Sequence, residues 1–256
     1  KDCRDMETAL KNYAREHNFR GFKSLIITDR KAAASFPDQV SKFLKKARPE
    51  DRVIVSFSGH GVLDDSLRYF LAPHEMDFNR PDARGVALKK LQDAVGKAEC
   101  ARKLLLLDAC HSGILIPSAG SSVTFSTSVS DSVRGRRGAW TRTISANRNT
   151  REESELLGAY FNMLPDERGT VILAAAGGME YAMEGKGLSN GVFTWSFMQA
   201  LKEDEEELYT VSALTNRITR LVSERTQGAQ TPRANQIDHQ FDWTLRHDKR
   251  NDISKR

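Results

Sequence analysis

Two short segments end an apolar run in groups capable of covalent chemistry. In "VIVSFSGHG" (53–61) His60 follows a β-branched block and sits between Gly59 and Gly61; in "LLLLDACHSG" (104–113) Cys110 follows a run of leucines. A free thiol with a pKa near ~8.5 is only a few per cent thiolate at neutral pH, so a nucleophilic cysteine needs an imidazole or a helix N-terminus beside it. His60 is the candidate base. Its flanking glycines permit a tight turn and leave a backbone N–H able to approach a substrate oxygen. His111 adjoins the thiol, but successive residues of an extended segment point to opposite faces, so it is assigned a supporting role. Taken singly, a cysteine at a strand end is most simply packing, and a histidine after a strand a satisfied loop residue. The pair, fifty residues apart, gives the chemistry its weight.

The surrounding elements must bring the two segments together. Met6, Leu10 and Tyr13 recur at helical spacing, with Asp2 as a cap for a helix over 2–17. "FKSLIIT" (22–28), "RVIVSFS" (52–58), "RYFLAP" (68–73), "KLLLLDA" (103–109) and "TVILAAA" (170–176) read as strands, and "HQFDWTL" (239–245) as an edge strand. Helices are expected at 37–47, 87–95, 152–164, 190–202 and 211–226. Strands alternating with helices predict an α/β fold with a mostly parallel sheet and helices on both faces. In such a sheet, sites form beyond the carboxyl ends of strands, where both segments end.

The chain has 256 residues, enough for one large α/β domain, and 39 basic residues against 34 acidic ones. Over most of the chain these charges are dispersed, so nucleic acid is not the expected partner. One stretch differs. Arginines 134, 136, 137, 142, 148 and 151 fall in a Ser/Thr/Gly-rich segment without an acid, which reads as an exposed loop lacking regular structure. Three cysteines (Cys3, Cys100 and Cys110) make no disulfide framework, and a reducing, cytoplasmic compartment is expected. No apolar run approaches the ~20 residues of a membrane span. Because the first residue is Lys1, the chain is expected to belong to a longer one with an upstream regulatory segment.

Asp-x-Cys-His-Ser-Gly at Asp108–Gly113 and Ser-Gly-His-Gly at Ser58–Gly61 resemble the nucleophile and base segments of caspase-like cysteine peptidases, more closely those of the metacaspase and bacterial caspase-like branch. "TVILAAAGG…YAMEG…NGVFTWSFMQAL" resembles the small-subunit region of that family. The resemblance implies a single domain over 1–256: a large-subunit-like region at 1–113, a basic Ser/Thr/Arg-rich linker at 114–151 and a small-subunit-like region at 152–256. It implies His60 as base, Cys110 as nucleophile, and the N–H groups of Gly61 and Cys110 as oxyanion hole. Family members open their sheet with a strand before the first helix, which would be missing here because Lys1 begins too late.

Asp108, two residues before the thiol, belongs on the same side of its strand as Cys110. A carboxylate in a partly enclosed cleft calls for a cation, and a substrate arginine would supply one. Caspases that cut after aspartate carry Gln at this position, and metacaspases with Asp there resemble basic-specific peptidases. By the same resemblance Glu184 and Ser58 join the substrate-binding set. The competing readings are a helix cap for Asp108, a surface acid for Glu184 and an ordinary strand-end hydroxyl for Ser58. Together these predict a cysteine endopeptidase cleaving protein or peptide substrates after Arg or Lys, with self-processing in the basic linker. The alternative is a non-catalytic caspase-like interaction module that contacts nucleic acid through the arginine loop. The resemblance also raises calcium, but Asp64, Asp65, Glu75 and Asp77 lack the regular spacing of a calcium loop, so no metal or other cofactor is expected.

Overall fold

The computed structural model describes residues 1–64, 68–78, 80–114, 122–127, 140–145, 170–175, 190–203, 210–228, 230–235 and 242–246, with the backbone alone at 63, 110–114, 122–127 and 140–145. In chain order the elements are α1 (Asp2–Glu16), a 3-10 turn (Asp29–Lys31), α2 (Phe36–Leu44), β1 (Arg52–Leu63), β2 (Tyr69–Leu71), α3 (Pro81–Arg84), β3 (Val86–Ala87), α4 (Leu88–Gly96), β4 (Arg102–Ile114), β5 (Ser122–Thr127), β6 (Trp140–Ser145), β7 (Thr170–Ala174), α5 (Val192–Ala200), α6 (Val211–Thr226) and β8 (Arg233–Ala234). Among the described residues no helix is long and apolar enough to cross a membrane.

A six-stranded sheet in the order β3-β2-β1-β4-β7-β8 carries helices on both faces. The expectation of a mostly parallel sheet is overturned. Three of its five pairings, β1–β2, β2–β3 and β7–β8, are antiparallel; only β1–β4 and β4–β7 are parallel. For β1–β2 the physical reason is connection length: parallel neighbours need a crossover of a dozen or more residues, whereas the short connection from β1 to β2 permits only a hairpin. The leucine run carries no information about those edges.

That run instead fixes β4 as a strand buried on both faces. Leu105 and Leu107 join Ile172, Ala174 and the apolar sides of α2 and α4 (Phe36, Leu44, Leu88, Leu91, Val95). Leu104 and Leu106 join Val171, Leu173, Met6 of α1, Phe193 and Phe197 of α5, and Leu214 and Ile218 of α6. Each leucine of β4 is fully buried, worth roughly 1.5–3 kcal/mol apiece. At the outer side of β7, Asn235 stands in for a longer strand partner: its Oδ1 accepts from the Ile172 N–H at 2.7 Å and its Nδ2 donates to the Thr170 carbonyl at 3.1 Å.

Two further expectations fail. Residues 22–28 form no strand, although Ile27 packs on the core; Phe22 and Leu25 remain exposed. A β-branched run becomes a strand only when a ladder is available to it. The segment expected to lack regular structure contains β5 and β6, an antiparallel pair registered from Ser122↔Ser145 to Thr127↔Trp140. Its threonines, Val123, Phe125 and Ile144 supply the β propensity that the Ser/Arg composition obscures. The helix expected at 152–164 lies outside the described residues. Of 239–245 only the last residues are described: Thr244 forms an antiparallel bridge with Thr210.

Candidate active site

β1 and β4 run parallel and in step. Arg52 is registered with Arg102, Ser58 with Asp108, Gly59 with Ala109, His60 with Cys110 and Gly61 with His111. The fifty-residue spacing of the motifs is thereby converted into adjacency, since from Arg52 to Gly61 every partner is offset by the same amount; the register shifts only beyond Gly61, where Leu63 pairs with Ile114. His60 and Cys110 lie within the ladder rather than just beyond its end, which corrects their expected position at the mouths of loops.

His60 is exposed, its carbonyl accepts from the Ala72 N–H at 2.9 Å, and its ring meets Phe78 edge-on with centroids 6.2 Å apart. Protein around the ring strips away water and lowers its pKa below the ordinary imidazole value, which favours the neutral form that a base requires. Gly61 lies in β1 rather than in a turn. Its role there is spatial: a Cβ at 61 would fall 1.9 Å from Tyr69 Oη and 2.4 Å from Tyr69 Cζ.

Asp108 occupies a different environment from its register partner. Ser58 is exposed, and its Oγ donates to Asp2 Oδ2 at 3.4 Å; Asp108 is only 5% exposed, covered by the first turn of α5. Thr194 Oγ1 donates to Asp108 Oδ2 at 2.5 Å. Gly191, the N-cap position of α5, has no side chain to cap the helix, and a Cβ there would sit 3.0 Å from Asp108 Oδ2. Asp108 therefore packs beneath the start of a helix more than eighty residues later in the chain. Burial raises the Asp108 pKa from 3.8 to about 6; hydrogen bonding to Thr194 opposes that rise and the nearby Asp2 charge adds to it.

The sequence reading missed two residues. Asp2, taken only as a helix cap, reaches Ser58 and acts electrostatically on Asp108. Asn190 Nδ2 donates to Asp2 Oδ1 and to Asp5 Oδ2, each at 2.8 Å. The one available signal, two acids in the first turn of α1, reads equally well as compensation of the helix dipole.

Glu184, Asp65 and five of the six linker arginines lie outside the described residues; Arg142 falls on β6, where only the backbone is described. Of the acids weighed for calcium, Asp64 accepts from Arg68 Nη2 at 2.7 Å and Asp77 lies 3.4 Å from Arg80 Nε. Among the described residues no group of three or more His, Cys, Asp or Glu is arranged to hold a metal ion.

A histidine and a cysteine thus occupy registered positions on adjacent strands, with Ser58 and Asp108 registered two residues earlier. A search of curated proteins returns no match to the chain. Residues 1–241 match the model of the caspase domain, the C14 peptidase family, and the chain belongs to that family of caspase-like cysteine peptidases.

Proposed function

We propose that the protein is a cysteine endopeptidase that cleaves after Arg or Lys. The observation that carries the reading is the His60↔Cys110 register, which makes a base and a nucleophile neighbours across the parallel ladder. The Cys110 thiol passes its proton to the His60 imidazole and the thiolate sulfur adds to the scissile carbonyl carbon. The carbonyl oxygen, now an oxyanion, is held by the N–H groups of Gly61 and Cys110, as the family resemblance implies. Collapse breaks the C–N bond; His60 returns the proton to the leaving amine and then activates the water that hydrolyses the thioester.

Asp108, Asp2 and Ser58 supply the preference for a basic side chain, with Glu184 as a further acid. Support comes from the shared neighbourhood of Asp2, Ser58 and Asp108. A carboxyl buried without a cation is costly, and a substrate guanidinium or ammonium offsets that cost. The same preference makes the arginines of 134–151 candidate self-cleavage sites.

Peptides carrying Arg, Lys or Asp before a fluorophore test the reading beside Cys110→Ala. The expected result is release after Arg and Lys by the wild type and none by the variant. Equal release by both removes the peptidase assignment, and release only after Asp removes the specificity. Intact mass after incubation at high protein concentration tests self-cleavage: clipping outside 134–151, or none, overturns it.

A further inference from the structure

A single side chain ties the first turn of α1 to the start of α5. Asn190 spends both of its amide hydrogens on carboxylates, one on Asp2 and one on Asp5, each at 2.8 Å. Asp2 and Asp5 are three residues apart in one helical turn, so without a shared donor their charges would push the two side chains apart. The Asn190 bond is the main cause holding the Asp5 carboxyl below its usual pKa, and the Lys1 ammonium, 3.7 Å from Asp5, adds to it. The other oxygen of Asp2 accepts from Ser58. Asn190 also directly precedes Gly191, where α5 begins, and the same turn delivers Thr194 to Asp108. One short stretch, 190–194, therefore orients both Asp2 and Asp108.

We propose that Asn190 is a positioning residue for selection of the basic side chain: it fixes the Asp2 carboxylate toward Ser58 and Asp108 before substrate arrives. The inference rests on the proposed basic specificity and deepens it. A half-exposed aspartate at a helix start otherwise samples several rotamers, and a cation would have to order it on binding. Asn190 acts on cation affinity and leaves the His60–Cys110 step untouched.

Benzamidine, a small planar cation, probes the pocket as a competitive inhibitor of Arg-peptide cleavage in wild type, Asn190→Ala, Asp2→Ala and the double variant. The expected result for Asn190→Ala is an inhibition constant and KM raised up to about fivefold, no more than the loss from Asp2 itself, with kcat within about twofold of wild type, a fivefold change being about 1 kcal/mol. Adding Asn190→Ala to Asp2→Ala should produce no further loss, because the amide acts through that carboxylate. Unchanged inhibition in Asn190→Ala, or an equal loss on the Asp2→Ala background, overturns the proposal. If Asn190→Ala does not fold, Asn190→Gln carries the same comparison. A wild-type protein that cleaves peptides yet ignores basic ones and benzamidine overturns the specificity reading itself, and this inference with it.

Discussion

β1 and β4 lie side by side through the whole of the site, yet they meet solvent differently. On β1, Ser58 and His60 are exposed; on β4, Asp108 and Ala109 are buried, Asp108 beneath the first turn of α5. The difference follows from which helices reach each strand. α5 packs on β4 and β7, while among the described residues the end of β1 meets Asp2 of α1 through Ser58 and Phe36 of α2 through Phe57. The base is left where substrate can reach it, and the acid that would select the substrate is also held by the Thr194 hydroxyl of α5. Desolvation shifts both groups, in opposite senses: it lowers the pKa of the His60 base and raises that of the Asp108 acid.

The largest expected effect breaks the exposed side. His60→Ala should lower kcat for Arg peptides by about 10²–10⁴-fold, the usual contribution of a positioned base, with only a small change in melting temperature because the residue is largely exposed and its ring loses chiefly the edge-on contact with Phe78. Peptide turnover and thermal unfolding of the same preparation check both halves.

Asp108→Asn tests the buried side through two opposed outcomes. Loss of the charge-assisted bonds to a basic side chain should reduce kcat/KM for Arg peptides about 10–100-fold, roughly 1.5–3 kcal/mol. Folding stability should move the other way. With its folded pKa raised from 3.8 to about 6, Asp108 keeps its proton in the folded chain after the unfolded chain has lost it. Its cost is therefore absent below about pH 4, grows between about pH 4 and 6 and is complete above that, on the order of 3 kcal/mol. The variant should flatten that portion of the stability curve in denaturant titrations at several pH values. Because only ionised Asp108 holds a cation, wild-type kcat/KM for Arg peptides should rise through about pH 6, more steeply than in Asp108→Asn. The residual dependence in the variant belongs to His60, whose own pKa is lowered. A variant with an unchanged stability profile would show that the two strands are not differently buried in solution.

Gly61→Ala sharpens the packing side of the contrast. The added methyl meets the buried ring of Tyr69, so a loss of about 1–3 kcal/mol in urea unfolding is expected. Gly59→Ala should cost less, since its Cβ would touch the edge of the half-buried Phe57 at 3.1 Å. The smallest effect is expected at Asp2→Asn. A partly exposed carboxylate in water-accessible surroundings contributes about 0.2–1 kcal/mol, which appears as a rise of up to about fivefold in KM for Arg peptides.

The central pair of strands and most of the helices are legible because local pattern reports burial directly. Leu104–Leu107 can only be a segment buried on both faces, and Leu88, Leu91 and Val95 recur on one side of α4. Residues 22–28 mislead because β-branched composition does not say whether a ladder is available, and β5 and β6 are missed because serine and arginine outweigh their alternation in a composition count. At the site, His60, Cys110, Asp108 and Ser58 are legible as residue types in two motifs. Asp2 and Asn190 are not: Asp2 reads as an acid at a helix start, and Asn190, although it opens "NGVFTWSFMQAL", carries no sign in the chain of its contact with α1.

The sequence alone determines the central strands and most of the helices, the two-sided burial of β4, and the kinds of groups offered at positions 58–61 and 108–113. It also sets the equal spacing that lets β1 and β4 align in step. Only the tertiary structure decides that the outer strands run antiparallel, that α5 covers Asp108 and raises its pKa, and that Asn190 gathers Asp2 and Asp5. Periodicity and residue type are local quantities, readable within a few turns of chain. The burial of one carboxyl beneath a helix that starts more than eighty residues later depends on which apolar faces find each other, and no local pattern encodes that.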